Sequence, residues 1–481
     1  MQTEQAAPPR PFLIGGAEAI GEESQAVIFP YDGSEIARVW LASAADVERA
    51  LAGASAAEPL VAAIPPHRRA EILLRAGALV RERADELARQ MTLETGIVLL
   101  DSRAEVERTA EIFEFSAAEA RGLSSSGELV PIDAIGRGAG RVGLTRRFPV
   151  GVVLGITAFN APLLLVAHKI GPAFAAGNPC IVRPAPKTPL SALALGAIML
   201  EAGAPPEAVT ILPSSNELAE RMVRDERVRM VSFTGSAPVG WYLRGVAATP
   251  RVTLELGGNG AVIVHSDADV SYAADRCSLG GFLRAGQACI SVQRLYAHAS
   301  IVAELRAGLA SRIGRLRTGD PRDEDVALGG LIDEAAAVRA MELITDAQEQ
   351  GATLVCGGSR SGTVVQPTLL ENAPEGARVC AGEAFAPIIA LSSYDDIDDV
   401  IERVNDSPYG LQAGLFTNSL DVMNRAFERL QVGALIVNDI NSFRVDQMPY
   451  GGSKQSGWGR EGPRYAVRDM TEERLLVMDP R

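Results

Sequence analysis

The residues of this chain best suited to chemistry each break the pattern around them. Cys289 sits in "FLRAGQACISVQR", behind a Gly-Gln pair and ringed by Ala288, Ile290 and Ser291. A structural cysteine wants continuous apolar surroundings. A working thiolate wants access, nearby backbone N–H groups and no bulk in front of it. The segment reads as a turn, which fits the second description. Glu255 closes the apolar run of "VTLELGGNG". Burying a carboxylate there is costly without a purpose; the purpose would be that of a general base whose pKa burial raises. The plainer alternative is an exposed strand terminus. Asn160, in "ITAFNAP", stands where a strand gives way to a helix. It is either an N-cap or an amide donor aimed at a developing oxyanion. Nucleophile, base and oxyanion donor make a set that needs no histidine.

Lysine occurs only at Lys169, Lys187 and Lys454, and arginine supplies the rest of the 46 cations. A composition bias would leave such survivors at random. The functional alternative is a site that needs a compact ammonium able to lose its proton, which guanidinium cannot replace. A further signal is "SFTGSAPVG". Gly235 allows a tight turn after a strand, and Ser236 with the first N–H groups of the next helix suits a phosphate. It is not G-x-G-x-x-G, and by itself it is weak.

Positioning these residues falls to alternating strands and helices. From Pro149 onward, "VGVVLGI", "PCIVRP", "VTILP", "RMVSFTG" and "RVTLEL" read as strands. "PLLLVAHKIGPAFAAG", "PLSALALGAIMLEAG", "ELAERMVRD" and "APVGWYLRGVA" read as the helices between them. Short β-branched runs without strict alternation predict a parallel sheet covered on both faces, which binds nucleotides at its carboxyl ends. "GAVIVH" opens a second alternating region. Before these, "SAADVERALAGASAA" and the stretch ending at Gly96 read as helices. "GELVPIDAIGRGAGRVGLTRRFP" reads as two strands around a Gly-rich turn. The tail strand "RLLVM" must pair with that hairpin or with another chain.

At 481 residues the chain is expected to form two or three domains. With 47% hydrophobic and 22% charged residues it can bury large cores. A net charge of −14 without a basic patch argues against nucleic acid. Five cysteines without a C-x-x-C pair, and four scattered histidines, argue for a reducing compartment and against a disulfide framework or a metal site. The N-terminus shows no signal-peptide pattern. The most apolar stretch is broken by Asn160 and Pro162, so no membrane span is expected. A cytoplasmic protein is expected.

Seven motifs occur in order: "ITAFNAP", "GPAFAAGNPCIVRP", "SFTGSAPVG", "LELGG", "AGQACIS", "GEAFAP" and "MPYGGSKQSGWGRE". Together they resemble the aldehyde dehydrogenase superfamily over nearly the whole chain. The resemblance implies an α/β fold: a Rossmann-like nucleotide-binding domain (residues 1–126 and 150–257), an α/β catalytic domain (258–450) and a small β oligomerisation arm (127–149 and 462–481). It implies oxidation of an aldehyde to the carboxylic acid with NAD or NADP, in a homodimer or homotetramer. Cys289 matches the nucleophile, Asn160 the oxyanion donor, Glu255 the base and Lys169 a proton-relay lysine. Ile156, Thr157, Arg183, Pro184, Pro186, Lys187, Gly235, Ser236, Gly257, Glu383 and Phe385 match cofactor positions. Ala161, His168, Ala288, Ile290 and Arg444 match the substrate pocket.

Two departures carry expectations. Pro186 stands where the family pattern has a Glu that binds the adenosine ribose hydroxyls, and Arg183 replaces a Lys. Without that carboxylate, and with Arg183 and Lys187 nearby, NADP is expected to be tolerated. Ala161, His168 and Arg444 replace frequent aromatics, which predicts a roomy, partly polar pocket. Arg444 either holds a carboxylate or a hydroxyl of the substrate or is a surface residue paired with Asp446. A cofactor-free cysteine hydrolase and a non-catalytic binding protein are the competing readings; the cofactor motifs oppose the first and the intact Cys289, Glu255 and Asn160 the second.

Overall fold

The computed structural model describes residues 8–123 and 127–479. Of the six sheets among the described residues, the three largest organise it. In the first, the strands Val153–Ile156, Cys180–Arg183, Val209–Ile211, Met230–Thr234 and Val252–Glu255 run parallel. All but the last residue of Met230–Thr234 are buried, as expected of unbroken apolar runs covered by helices on both faces. The helices Pro162–Ala176, Pro189–Glu201, Asn216–Val223 and Ala237–Val246 make the connections.

From Val153–Ile156 the chain steps outward to Cys180–Arg183 and Val209–Ile211, then crosses back to the opposite side with Met230–Thr234. Such a reversal opens a crevice at the strand ends. Ile156, Arg183, Thr234 and Glu255 are the last residues of four strands around it. At one edge Gly457–Trp458 pairs antiparallel with Val252–Glu255, in the register Leu254↔Trp458 and Glu255↔Gly457. This pairing brings the "GWGREG" segment beside Glu255.

The second sheet has seven strands, with Arg294–His298 and Ala261–Val264 at its centre. All its pairings are parallel except that of the edge strand Thr353–Cys356. The first large sheet packs into one apolar core and the second into two, one on each face. Cys289 lies in the connection between the helix Val270–Phe282 and the strand Arg294–His298, so it is carried by the second sheet toward the open strand ends of the first. The third sheet is small. The tail strand Thr471–Met478 pairs with Val142–Pro149 from Thr471↔Pro149 to Met478↔Val142, and Leu129–Val130 adds a short third strand. The Gly-rich turn of the hairpin contains two 3-10 turns, Ile132–Ala134 and Gly136–Gly138. No helix among the described residues is long and apolar enough to cross a membrane.

Candidate active site

The nucleophile segment is shaped by an unusual backbone. Arg284 and Ala285 adopt left-handed φ values of 52° and 53°, a conformation disfavoured for side chains with a Cβ. Gly286 follows at φ 72°, where a Cβ would lie 2.1 Å from the Ala386 carbonyl oxygen. Interactions with the helix Leu99–Ala118 hold the turn. The buried Arg284 guanidinium pairs with Glu105, and the Arg284 N–H donates to Asp101 Oδ2 at 2.9 Å.

The same arginine reaches Asn160, donating to its carbonyl oxygen at 2.7 Å. Glu105 in turn accepts from the N–H groups of Leu163 and Leu164 at 3.0 and 3.1 Å. The helix Pro162–Ala176 is therefore capped by Glu105, and Asn160 is released from capping. Its amide donates instead to the Gln287 carbonyl at 2.9 Å, which ties it to the Cys289 segment. The N-cap alternative for Asn160 is thus set aside.

Glu255 is buried, and neither carboxyl oxygen has a hydrogen-bond partner. The exposed-terminus alternative is therefore wrong: the strand it ends is enclosed. Burial, then the charge of Glu461, push its carboxyl well above the usual carboxylate range. The two glycines that follow make room for the rest of the site. A Cβ at Gly257 would lie 2.3 Å from the Glu383 carboxylate, and one at Gly258 2.7 Å from the Cys289 carbonyl oxygen.

Behind Glu255 lies a buried charge network. Lys169 donates to Glu461 Oε1 at 2.6 Å and to Thr234 Oγ1 at 2.9 Å. Gly155 lets the lysine stem cross its strand, since a Cβ there would lie 2.9 Å from the Lys169 Cβ. Arg444 pairs with Glu461 Oε2 at 3.2 Å and Asp446 Oδ1 at 3.3 Å. Its guanidinium lies 3.7 Å from the centroid of the Tyr450 ring. Arg108 closes the network with two 2.8 Å hydrogen bonds to Asp446. Burial alone would raise Asp446, but hydrogen bonds from His168 and Arg108 and the charge of Arg444 hold it well below its usual range. Lys169, His168 and Arg444 hold Glu461 low against the same penalty.

These residues enclose a cavity of about 340 Å³. Asn160, Gly235, Ser236, Glu255, Gly257, Cys289, Glu383, Phe385 and Arg444 line it, as do Tyr450, Glu461 and Arg339. Cys289 is half-buried, and its Sγ lies 3.0 Å from the Tyr450 hydroxyl. Burial pushes the thiol up to about 11, against the pull of that hydrogen bond. Gly235 and Ser236 begin the helix Ala237–Val246, and the Ser236 hydroxyl caps none of its N–H groups. A phosphate fits such a helix start. Glu383 faces the cavity above Gly257, accepts from Gly258 N–H at 3.2 Å, and is pushed up to about 7 by burial. Phe385, at φ 49°, packs edge-on against Phe159 with ring centroids 5.8 Å apart. A dinucleotide fits this cradle of glycines, hydroxyl and carboxylate at the sheet's reversal point.

Other expected positions lie elsewhere. Ile156, Thr157 and Pro184 are buried at the ends of neighbouring strands. Arg183 is buried too, and its guanidinium donates to the Ser214 carbonyl at 3.0 Å and to Asn216 Oδ1 at 2.7 Å. These two bonds tie the Arg183 guanidinium to the protein. Pro186 and Lys187 are exposed, and Lys187 pairs with Asp333. Ala288 and Ile290 flank Cys289, both half-buried. Ala161 and His168 are buried and do not line the cavity. Burial pulls the His168 ring below its ordinary value, and its Nε2 lies within 2.9 Å of Arg444 and 3.2 Å of Asp446. One nitrogen serves one of those partners at a time. Of the expected pocket residues, Arg444 lines the cavity, together with Tyr450. Arg444 is no surface residue, its side chain being 9% exposed.

Sequence reasoning missed Tyr450, Glu461 and Arg339. Tyr450 and Glu461 lie inside "MPYGGSKQSGWGRE", and two backbone hydrogen bonds between them close that segment into a loop.

A profile of the aldehyde dehydrogenase family matches residues 17–476. The chain is 43% identical over 467 residues to 3-sulfolactaldehyde dehydrogenase of Priestia megaterium, covering 97% of each protein. Its structure resembles that of aldehyde dehydrogenase 21 from Physcomitrella patens in complex with the reaction product succinate, with a TM-score of 0.95, 38% identity, and coverage of 98% and 99%. It also resembles the NADP-dependent glyceraldehyde-3-phosphate dehydrogenase of Bacillus halodurans complexed with NADP, with a TM-score of 0.95, 31% identity, and coverage of 98% and 99%. With fold, cavity and sequence in agreement, the chain belongs to the aldehyde dehydrogenase family, whose members oxidise an aldehyde to the carboxylic acid with NAD(P) through a cysteine thiohemiacetal and thioester.

Proposed function

We propose that this enzyme oxidises a short aldehyde bearing an anionic group, and that it accepts NADP as well as NAD. The observation that carries the substrate class is Arg444 in the cavity wall. Three cations, Arg108, Lys169 and Arg444, surround two carboxylates held ionised, Asp446 and Glu461. The Arg444 guanidinium lines the cavity, where an entering anion meets it in a setting of low dielectric. The sulfonate, carboxylate and phosphate named for the three similar proteins belong to one charge class.

The geometry supports the following residue roles. The Cys289 thiolate attacks the aldehyde carbon; the S–C bond forms and the carbonyl oxygen takes the negative charge. Asn160 and the Cys289 backbone N–H donate to that oxygen. A nicotinamide dinucleotide, when bound, supplies the hydride acceptor. Collapse of the oxyanion leaves a thioester on Cys289. Glu255 then takes a proton from the attacking water, and the acid departs as the thiolate is restored. Lys169, joined to Glu461, carries that proton onward.

NADP tolerance rests on Pro186, which offers no carboxylate to repel a 2′-phosphate, and on the exposed Lys187 beside it. In this reading residues 1–126 and 150–257 hold the dinucleotide, 258–450 carry the nucleophile, and 127–149 with 462–481 form the arm of a homodimer or homotetramer. Leu475, Leu476, Val477 and Met478 are all exposed on that arm, as an interface strand requires. Five unpaired cysteines suit a cytoplasmic setting.

The test is a panel of short aldehydes in matched pairs, sulfonated, carboxylated or phosphorylated against neutral, assayed with both cofactors by absorbance of the reduced nicotinamide. The proposal expects kcat/KM for the anionic members to lead by tenfold or more, as roughly 1.5–3 kcal/mol of charged hydrogen bonding provides. Equal values within pairs would refute the substrate class. A preference for NAD of several orders of magnitude would refute the cofactor reading.

A further inference from the structure

Among the described residues the Tyr450 hydroxyl has one hydrogen-bond partner, the Cys289 sulfur at 3.0 Å. The residue is buried, in the wall of the cavity that also holds Cys289. Its position is fixed on two sides. The Tyr450 N–H donates to the Glu461 carbonyl at 3.1 Å, and the Glu461 N–H returns a bond of 2.6 Å to the Tyr450 carbonyl. The Arg444 guanidinium lies 3.7 Å from the ring centroid, held there by Asp446 and Glu461. A cation over the ring draws electron density from it and makes the O–H a better donor.

We infer that Tyr450 is a further catalytic residue, whose hydroxyl donates to the Cys289 thiolate and both aims the sulfur and raises the fraction ionised. This rests on the reading of Cys289 as the nucleophile.

Which partner donates follows from their acidities. Burial pushes the Tyr450 phenol well above its ordinary range and the Cys289 thiol to about 11. The thiol ionises first, and the phenol keeps its proton to donate. A hydrogen bond to a charged group shifts the equilibrium by about one pKa unit. Losing it leaves about tenfold less thiolate near neutral pH. Each remaining thiolate is roughly threefold more nucleophilic, because reactivity follows basicity with a slope of about one half. The net loss is about threefold.

The test needs no aldehyde turnover, so its failure leaves the aldehyde reading standing. Wild type and Tyr450→Phe are treated with iodoacetamide at pH 7, and the label on the Cys289 peptide is timed by mass spectrometry. In parallel the thiolate absorbance of Cys289 is titrated against pH as the difference from Cys289→Ser. The variant is expected to alkylate about threefold more slowly, with the thiolate midpoint about one unit higher. Equal alkylation rates would overturn the inference, and so would a midpoint that does not move. An unchanged thermal unfolding midpoint of Tyr450→Phe shows that the fold is kept.

Discussion

Lys169 and Glu461 form an ion pair of 2.6 Å that is almost wholly shut off from water. Glu461 also contributes to keeping the Glu255 carboxyl high, second only to burial, while Arg444 and Lys169 pull it down. Neutralising Glu461 removes the repulsion and leaves both cations. The Glu461→Gln variant should therefore ionise Glu255 at lower pH. Since the ionised carboxylate is the active base, kcat rises with pH through the Glu255 pKa, and this limb should move toward acid. A limb that stays in place contradicts the coupling.

Arg444 gives a second prediction. Arg444→Leu should raise KM for anionic aldehydes roughly tenfold to a hundredfold while changing neutral ones by no more than about twofold. It also strips Asp446 and Glu461 of a buried counter-charge, so the unfolding free energy should drop by about 3–5 kcal/mol. Equal KM changes for charged and neutral substrates would count against a substrate contact. An unaltered denaturation midpoint would count against the network.

Glu383 is held near pH 7 by burial, so it is protonated below that value and charged above it. A carboxylate accepts hydroxyl hydrogen bonds more strongly than a neutral acid. The KM for the dinucleotide should thus fall several-fold between pH 6 and pH 8, and Glu383→Gln should flatten that dependence. The linkage runs the other way for stability. The native state keeps the proton up to about 7, whereas the unfolded chain releases it near 4.5. This group therefore costs stability as pH rises through that window. A Glu383→Gln enzyme with the wild-type pH dependence of cofactor KM would show that another group is responsible.

Much of the fold could be read directly from the chain because buried parallel strands appear as unbroken apolar runs. "PCIVRP" became the strand Cys180–Arg183 and "RVTLEL" the strand Val252–Glu255. Cys289 and Glu255 were conspicuous for a related reason: each is a costly residue in a setting that does not call for it. The network behind them was not readable. Glu461 sits in a glycine-rich stretch that looks like solvent-facing loop, and only the antiparallel pairing of Glu255 with Gly457 brings it inward. His168 was assigned to the pocket by the resemblance, but its ring turns to Asp446 and Arg444 instead of lining the cavity. Arg444 was ambiguous because its partners, Asp446 nearby and Glu461 farther along, differ in sequence distance but not in space.

The adenosine end offers a cofactor test. Pro186→Glu restores a carboxylate where the resemblance places one. It should cut kcat/KM with NADP by about a hundredfold through repulsion of the 2′-phosphate, leaving NAD within a few-fold. If NADP is used as well as before, the exposed Pro186 lies too far from the ribose to decide the choice.

The central claim is that Cys289 carries the substrate as a thioester which Glu255 releases. The direct measurement uses Glu255→Gln mixed rapidly with aldehyde and NAD(P), with reduced cofactor followed by absorbance and the quenched protein mapped by mass spectrometry. The account predicts a burst of about one reduced nicotinamide per active site, a stall, and an acyl adduct on the Cys289 peptide. Wild-type steady turnover, or a stalled enzyme with no burst and an unmodified Cys289, would contradict it.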